Sequence, residues 1–148
     1  MKNIALTFTL ALAACSSAQS TETAQLETPV ATKVEFSGKT DTAILAGGCF
    51  WCIESDFEKL SGVIDVVSGY TGDDLRNPTY RNHAQHVEAV QVTFDPQQVT
   101  YGEILDYYWR HIDPTDNGGQ FCDRGHAYIP VIYARPDQTA QALSLIHI

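Results

Sequence analysis

The residues most able to do chemistry are cysteines, and the sequence has four: Cys15, Cys49, Cys52 and Cys122. Cys49 lies in "AGGCFWCIESDF", residues 46–57, after two glycines and at the apparent start of a helix. Unpaired N–H groups and the positive end of a helix dipole favour a thiolate at such a place. Gly47 and Gly48 let the chain turn tightly and leave the sulfur approachable. This is the layout of an activated nucleophile, not of an inert buried thiol. Phe50 and Trp51 come next. Adjacent helical residues do not share a face, so at least one of these rings is expected at the mouth beside Cys49. An aromatic wall there suits a small apolar group such as a methyl. Cys49 and Cys52 are spaced C-x-x-C, which suits a redox pair or half of a metal site. A closed zinc site takes four ligands, usually from a second such pair. Within residues 36–142 only Cys122 and scattered histidines at 83, 86, 111 and 126 remain, so no metal is expected.

The elements that must position these groups alternate in type. "TAILAGG" (42–48) is a short apolar run closed by glycines and suits a buried strand. Residues 50–60 follow helical spacing, with Ile53, Phe57 and Leu60 as the apolar stripe and Gly62 as a C-cap. "VIDVVSGYTG" begins as a second strand, and "DDLRNPTYRNHAQ" is turn-rich. "HVEAVQVTFDP" (86–96) alternates, with Glu88, Val90, Val92 and Phe94 on one face. Thr100 and Glu103 form a capping box for a helix that runs to about Ile112 with Ile104, Leu105, Tyr108 and Trp109 inward. "DPTDNGGQFCDRG" reads as a long polar loop. "AYIPVIYARP" reads as a fourth strand, where Pro130 points to an edge or bulge, and a helix starts at Asp137. The order β-α-β-β-α-β-α predicts an α+β fold, a sandwich on the ferredoxin-like split βαβ plan with helices packed on a mixed sheet.

The flanks read differently. Lys2 and the apolar run Ile4–Ala14 have the form of a signal peptide over residues 1–14, too short to span a bilayer. "LAAC", Leu12 to Cys15, resembles a bacterial lipobox, so Cys15 is expected to carry lipid. Residues 15–35 are polar and Ser/Thr/Ala-rich, as suits a flexible tether. The expected product is anchored on the periplasmic side of a bacterial membrane, the outer one by preference, and monomeric. "LSLIHI" (143–148) resembles the translation of a transposon-end sequencing adapter, so the natural domain is expected to span 36–142 and to be truncated there. The net charge of −9 argues against nucleic acid as a partner and otherwise keeps the protein soluble.

"GCFWCIESDF" resembles the signature of the A-type peptide methionine sulfoxide reductases, whose hallmark is G-C-F-W. Further blocks match in the family's order: "SGYTG" (68–72), "NPTY" (77–80), "HVEAV" (86–90), "FDP" (94–96), "YGEILDYYWRHIDPT" (101–115) and "GGQFCDRGHAYIPVIY" (118–133). The resemblance implies an α+β fold and the reduction of methionine S-sulfoxide, free or in proteins, without a bound cofactor. It implies that Cys49 attacks the sulfoxide sulfur and that Phe50 and Trp51 hold the S-methyl group. Glu88 stands where the family keeps its acid, Tyr80 and Tyr128 where it binds the departing oxygen, and Asp123 where an acidic residue orders the site. Cys49 then becomes a sulfenic acid, resolved to a disulfide by a second thiol and recycled by a thioredoxin-like reductant. Cys122 and Cys52 are both candidates for that thiol, with slight preference for Cys122, and a cysteine in the natural tail expected after residue 142 is a third. His86 matches the motif without a role of its own beyond support. The chain departs from many relatives at Cys52, in the short segment between Tyr80 and His86, and at Ile129-Pro130. Two rival readings remain: a generic extracytoplasmic thiol–disulfide oxidoreductase using Cys49 and Cys52, and a non-catalytic lipoprotein module whose aromatic pocket binds a ligand.

Overall fold

The alternation in "VEAVQVTF" places Glu88, Val90, Val92 and Phe94 on one side of a strand, and the core forms there. A computed structural model describes residues 38–145. The signal-peptide, tether and Cys15 expectations lie outside them. In chain order the elements are β1 (Asp41–Ala46), α1 (Phe50–Phe57), β2 (Val63–Thr71), β3 (Val87–Phe94), α2 (Tyr101–His111), β4 (Gly119–Gln120), β5 (Asp123–Arg124), a 3-10 turn (His126–Tyr128), β6 (Val131–Tyr133) and α3 (Thr139–Leu145). The main sheet has the order β2-β3-β1-β6. β3 pairs with β1 and β2, and β1 pairs with β6, each antiparallel. β1 and β2 therefore run the same way with β3 inserted between them. That is the split βαβ plan expected from the element order, with every pairing in the main sheet antiparallel.

One face of the sheet carries both main helices. Val90, Val92 and Phe94 share a core with Phe50, Ile53 and Phe57 of α1 and with Ile104, Leu105 and Tyr108 of α2. Truncating a fully buried side chain such as Phe94 is expected to cost about 3–5 kcal/mol. On the other face Ala46, Val87 and Ala89 form a smaller cluster with Ile44, Ile129, Val131 and Tyr133. So β3 is buried on both faces at its start, although its alternation suggests one wet face.

The helix ends follow local chemistry. Glu103 Oε2 accepts from Thr100 N at 2.8 Å while Thr100 Oγ1 accepts from Glu103 N at 3.3 Å, the capping box read from sequence. α1 is shorter than its apolar stripe and ends at Phe57. Its C-cap is Glu58, not Gly62, which lies four residues further on and at φ +92° turns the chain into β2. The expected fourth strand shrinks to Val131–Tyr133 at the sheet edge, because Tyr128 is taken up by the 3-10 turn and Pro130 cannot donate to a ladder. The expected polar loop contains the hairpin β4–β5, with Phe121 and Cys122 at its tip.

Candidate active site

Gly47 and Gly48 are needed for contact and for conformation respectively. A Cβ on Gly47 would lie 2.9 Å from Ile112 Cγ2, and Gly48 has φ +94°. Tyr108, fully buried, donates its hydroxyl to Ala46 O at 2.5 Å and fixes the end of β1 just before these glycines. The chain then delivers Cys49 to the N-cap of α1, with φ −60° and ψ 119°. Its side chain makes no capping bond and is half-buried. Phe50 and Trp51 separate as adjacent helical residues must: Phe50 is buried in the core, and Trp51 is 58% exposed. Trp51 stacks on Tyr80, with ring centres 5.6 Å apart and planes 11° apart. Phe50 lies against Trp51 at 5.1 Å and against Tyr70 at 5.4 Å.

Glu88 is almost wholly buried on the helix side of β3, and its Oε2 accepts from Phe50 N at 3.1 Å. The carboxyl thus occupies the start of α1, one residue from Cys49. Burial raises its pKa; the Phe50 N–H and His83 oppose that, and Asp123 adds to it. A carboxyl whose pKa is raised by burial is better suited to proton donation than a solvated one. Tyr128 approaches from the 3-10 turn, whose carbonyl at Tyr128 accepts from Gly48 N at 3.0 Å. Its phenol is raised by burial first and then by its neighbours Glu88, Tyr80, Asp123 and Cys49. Asp123, half-buried in β5, acts on Cys52, Glu88 and Tyr128 through its charge. The structure therefore gathers Cys49, Phe50, Trp51, Tyr80, Glu88, Asp123 and Tyr128 at the N-terminus of α1.

A family model described as peptide methionine sulfoxide reductase matches residues 41–147. The chain belongs to that family. It is 55% identical over 104 residues to peptide methionine sulfoxide reductase MsrA 2 of Caulobacter vibrioides, covering 68% of this chain and 53% of that protein. It is 53% identical over 113 residues to the MsrA/MsrB protein of Vibrio cholerae, covering 74% of this chain and 30% of that protein. The chain thus spans about half or less of the length of these curated relatives. Among solved structures it resembles methionine sulfoxide reductase A of Corynebacterium diphtheriae, with a TM-score of 0.70 and 32% identity, covering 79% of this chain and 60% of that one.

Within this reductase-family frame the cysteines separate. Cys52 is exposed at the third helical position. Its thiol is raised by burial first, then by the charge and hydrogen bond of the neighbouring Cys49 sulfur. Cys122 is exposed at the tip of the β4–β5 hairpin. Among the described residues no group of His, Cys, Asp and Glu is arranged to hold a metal ion.

His86 is expected from sequence only as a support residue, and two further supporting residues, Gln120 and Ser68, escape the sequence reading. His86 is buried and staples the loop after β2: its Nδ1 accepts from Asp73 N at 3.3 Å, which leaves Nε2 to donate to Leu75 O at 3.0 Å. Gln120 is buried behind Gly48, bonding both ways to Asp113 at 2.6 and 2.8 Å, so it holds the β4–β5 hairpin against the turn before Cys49. Ser68 donates to Glu54 at 2.5 Å and ties β2 to α1. None of these had a local signal in sequence, because each bond joins segments distant along the chain or inside a loop.

Proposed function

We propose that this protein reduces the S epimer of methionine sulfoxide to methionine. The observation that carries the reading is the pairing of an N-cap cysteine with a buried carboxyl bound to the very next backbone N–H. Cys49 attacks the sulfoxide sulfur, and Glu88 gives a proton to the oxygen. Tyr80 and Tyr128 hydrogen-bond that oxygen, and Asp123 helps to order the site. Two electrons pass from the thiol to the sulfoxide; the sulfoxide S–O bond breaks, methionine leaves, and the oxygen ends bonded to Cys49 as a sulfenic acid. Phe50 and Trp51 hold the S-methyl group, with Trp51 and Tyr80 forming an open rim that admits a residue within a peptide. A thiol then displaces the sulfenic oxygen as water and forms a disulfide, which a thioredoxin-like dithiol reduces.

Cys52 has more support than Cys122 as the resolving thiol. Cys49 stands at the N-cap, outside the regular helix, so an i, i+3 bridge does not have to form within helical geometry. The Cys49 sulfur also raises the Cys52 thiol by its charge and hydrogen bond, as neighbouring sulfurs would. The acidic lipobox-bearing chain is read as tethered through Cys15 on the periplasmic side, acting on oxidised proteins there as a monomer; labelled fatty acid retained by the wild type and lost in Cys15→Ser tests the anchor.

The deciding experiment is single-turnover reduction of a blocked methionine sulfoxide, with S and R epimers separate and Cys49→Ser as control. One equivalent of methionine from the S epimer alone, absent in the variant, is expected. Product from neither epimer in a folded sample would end this reading in favour of disulfide exchange at Cys49 and Cys52.

A further inference from the structure

The "SGYTG" block places Tyr70 in β2 directly opposite Glu88 of β3. Residues opposed in an antiparallel pair put their side chains side by side on one face. That face is the one that meets α1, so Tyr70 projects toward the same helix N-terminus as Glu88. The ring is clamped there: Phe50 lies 5.4 Å from it at 56°, and His83 stacks flat on it at 5.2 Å and 7°. Its hydroxyl oxygen is buried and has no hydrogen-bond partner. The adjacent carboxyl does not satisfy it: Glu88 accepts from Phe50 N and makes no hydrogen bond to the Tyr70 hydroxyl. Burial first, then Glu88, Tyr80 and Tyr128, raise the Tyr70 phenol, so these groups share one neighbourhood and the phenol stays protonated as a donor. A buried, unpaired hydroxyl destabilises the fold, and a well-packed phenylalanine would avoid that cost. A tyrosine here is best explained by an acceptor that arrives with the substrate.

We propose that Tyr70 is a further catalytic residue, donating its hydroxyl hydrogen bond to the sulfoxide oxygen beside Tyr80 and Tyr128. The inference rests on the reductase reading above. The bond tightens as the oxygen gains negative charge and is protonated from Glu88; Tyr70 itself keeps its proton. His83 and Phe50 hold the ring so that the hydroxyl meets the oxygen without reorganising.

The test is Tyr70→Phe in the full chain, assayed by single-turnover and steady-state reduction of blocked methionine S-sulfoxide, with thermal melting alongside. The expected result is a single-turnover rate lower by about 10- to 100-fold, the range for losing one donor to a charge-gaining oxygen. KM is expected to stay within about twofold, since the loss falls on the transition state. The melting temperature is expected to hold or rise, because the variant removes an unpaired buried group. A purely structural tyrosine predicts otherwise. An unchanged rate overturns the proposal, and so does a rate loss accompanied by a lower melting temperature, which would assign Tyr70 to packing. If the wild type itself yields no methionine, the reductase reading fails first, and that failure is visible without the variant.

Discussion

Glu88→Gln separates proton donation from positioning. An amide keeps an oxygen that can accept from Phe50 N, now at 3.1 Å, so α1 and Cys49 stay in place. It cannot supply a proton. A positioned general acid contributes about 10²–10⁴-fold, so the single-turnover rate at neutral pH is expected to fall by about 10²-fold or more. The pH dependence gives the sharper test. Burial raises the Glu88 pKa above its ordinary value of 4.5 in the folded protein. The wild-type rate should therefore hold at low pH and decline as pH rises through that raised value, and the variant should lose this limb. The same shift has a consequence for stability. Over the interval between the unfolded and the raised folded pKa, the native state binds more protons than the unfolded one, so stability falls as pH rises. The variant has no such loss. Its melting temperature should exceed that of the wild type at pH 7–8, with the gap closing toward pH 4. The assays are rapid-quench single turnover and thermal melting from pH 4 to 9. A variant with wild-type rate, or one whose stability advantage grows on acidification, would refute the assignment of Glu88 as a buried acid.

Other perturbations probe the framework around it. Gly48→Ala must place a Cβ 3.0 Å from Gln120 Cβ at φ +94°, which is expected to cost about 2 kcal/mol or more and lower the melting temperature by about 8 °C. Unchanged melting would mean that the turn before Cys49 is freer than its packing suggests. Cys52→Ser should leave the first single turnover intact and abolish repeated turnover with a dithiol protein donor, whereas Cys122→Ser should retain it. The reverse pattern, read by methionine release and mass spectrometry of the oxidised protein, would transfer the resolving role to Cys122. Tyr108→Phe removes the buried bond to Ala46 O and is expected to cost about 1–3 kcal/mol in denaturant unfolding, because the carbonyl loses a buried partner.

Much of this was legible because it is written locally. The Cys49 turn needs two glycines, a thiol and a helix start within a few residues, and all are adjacent in sequence. The Thr100–Glu103 capping box is likewise complete within four residues, and the structure reproduces both of its bonds. The alternation in β3 correctly set Glu88 on the face that carries Val90, Val92 and Phe94. What it could not set was the register with β2, because a pattern of period two fixes faces and leaves the partner strand open. Only the pairing of Tyr70 with Glu88 shows why the glycine-tyrosine block matters. His86 shows the same limit: no sequence pattern says that its two nitrogens reach a loop more than ten residues back.

The hairpin β4–β5 illustrates a different obstacle. "DNGGQFCD" is polar and glycine-rich, so composition calls it a loop, and the two-residue strands are too short for alternation to register. Its shape depends on Gln120, whose amide bonds to the backbone at Asp113 on both its donor and acceptor sides. That bond pattern needs Gln120 buried against Gly48, and Gly48 is placed by the Cys49 turn. The Cys49 turn and the hairpin bearing Asp123 are therefore one packed unit. The acidic residue reaches the site because Gln120 fills the space that Gly48 leaves.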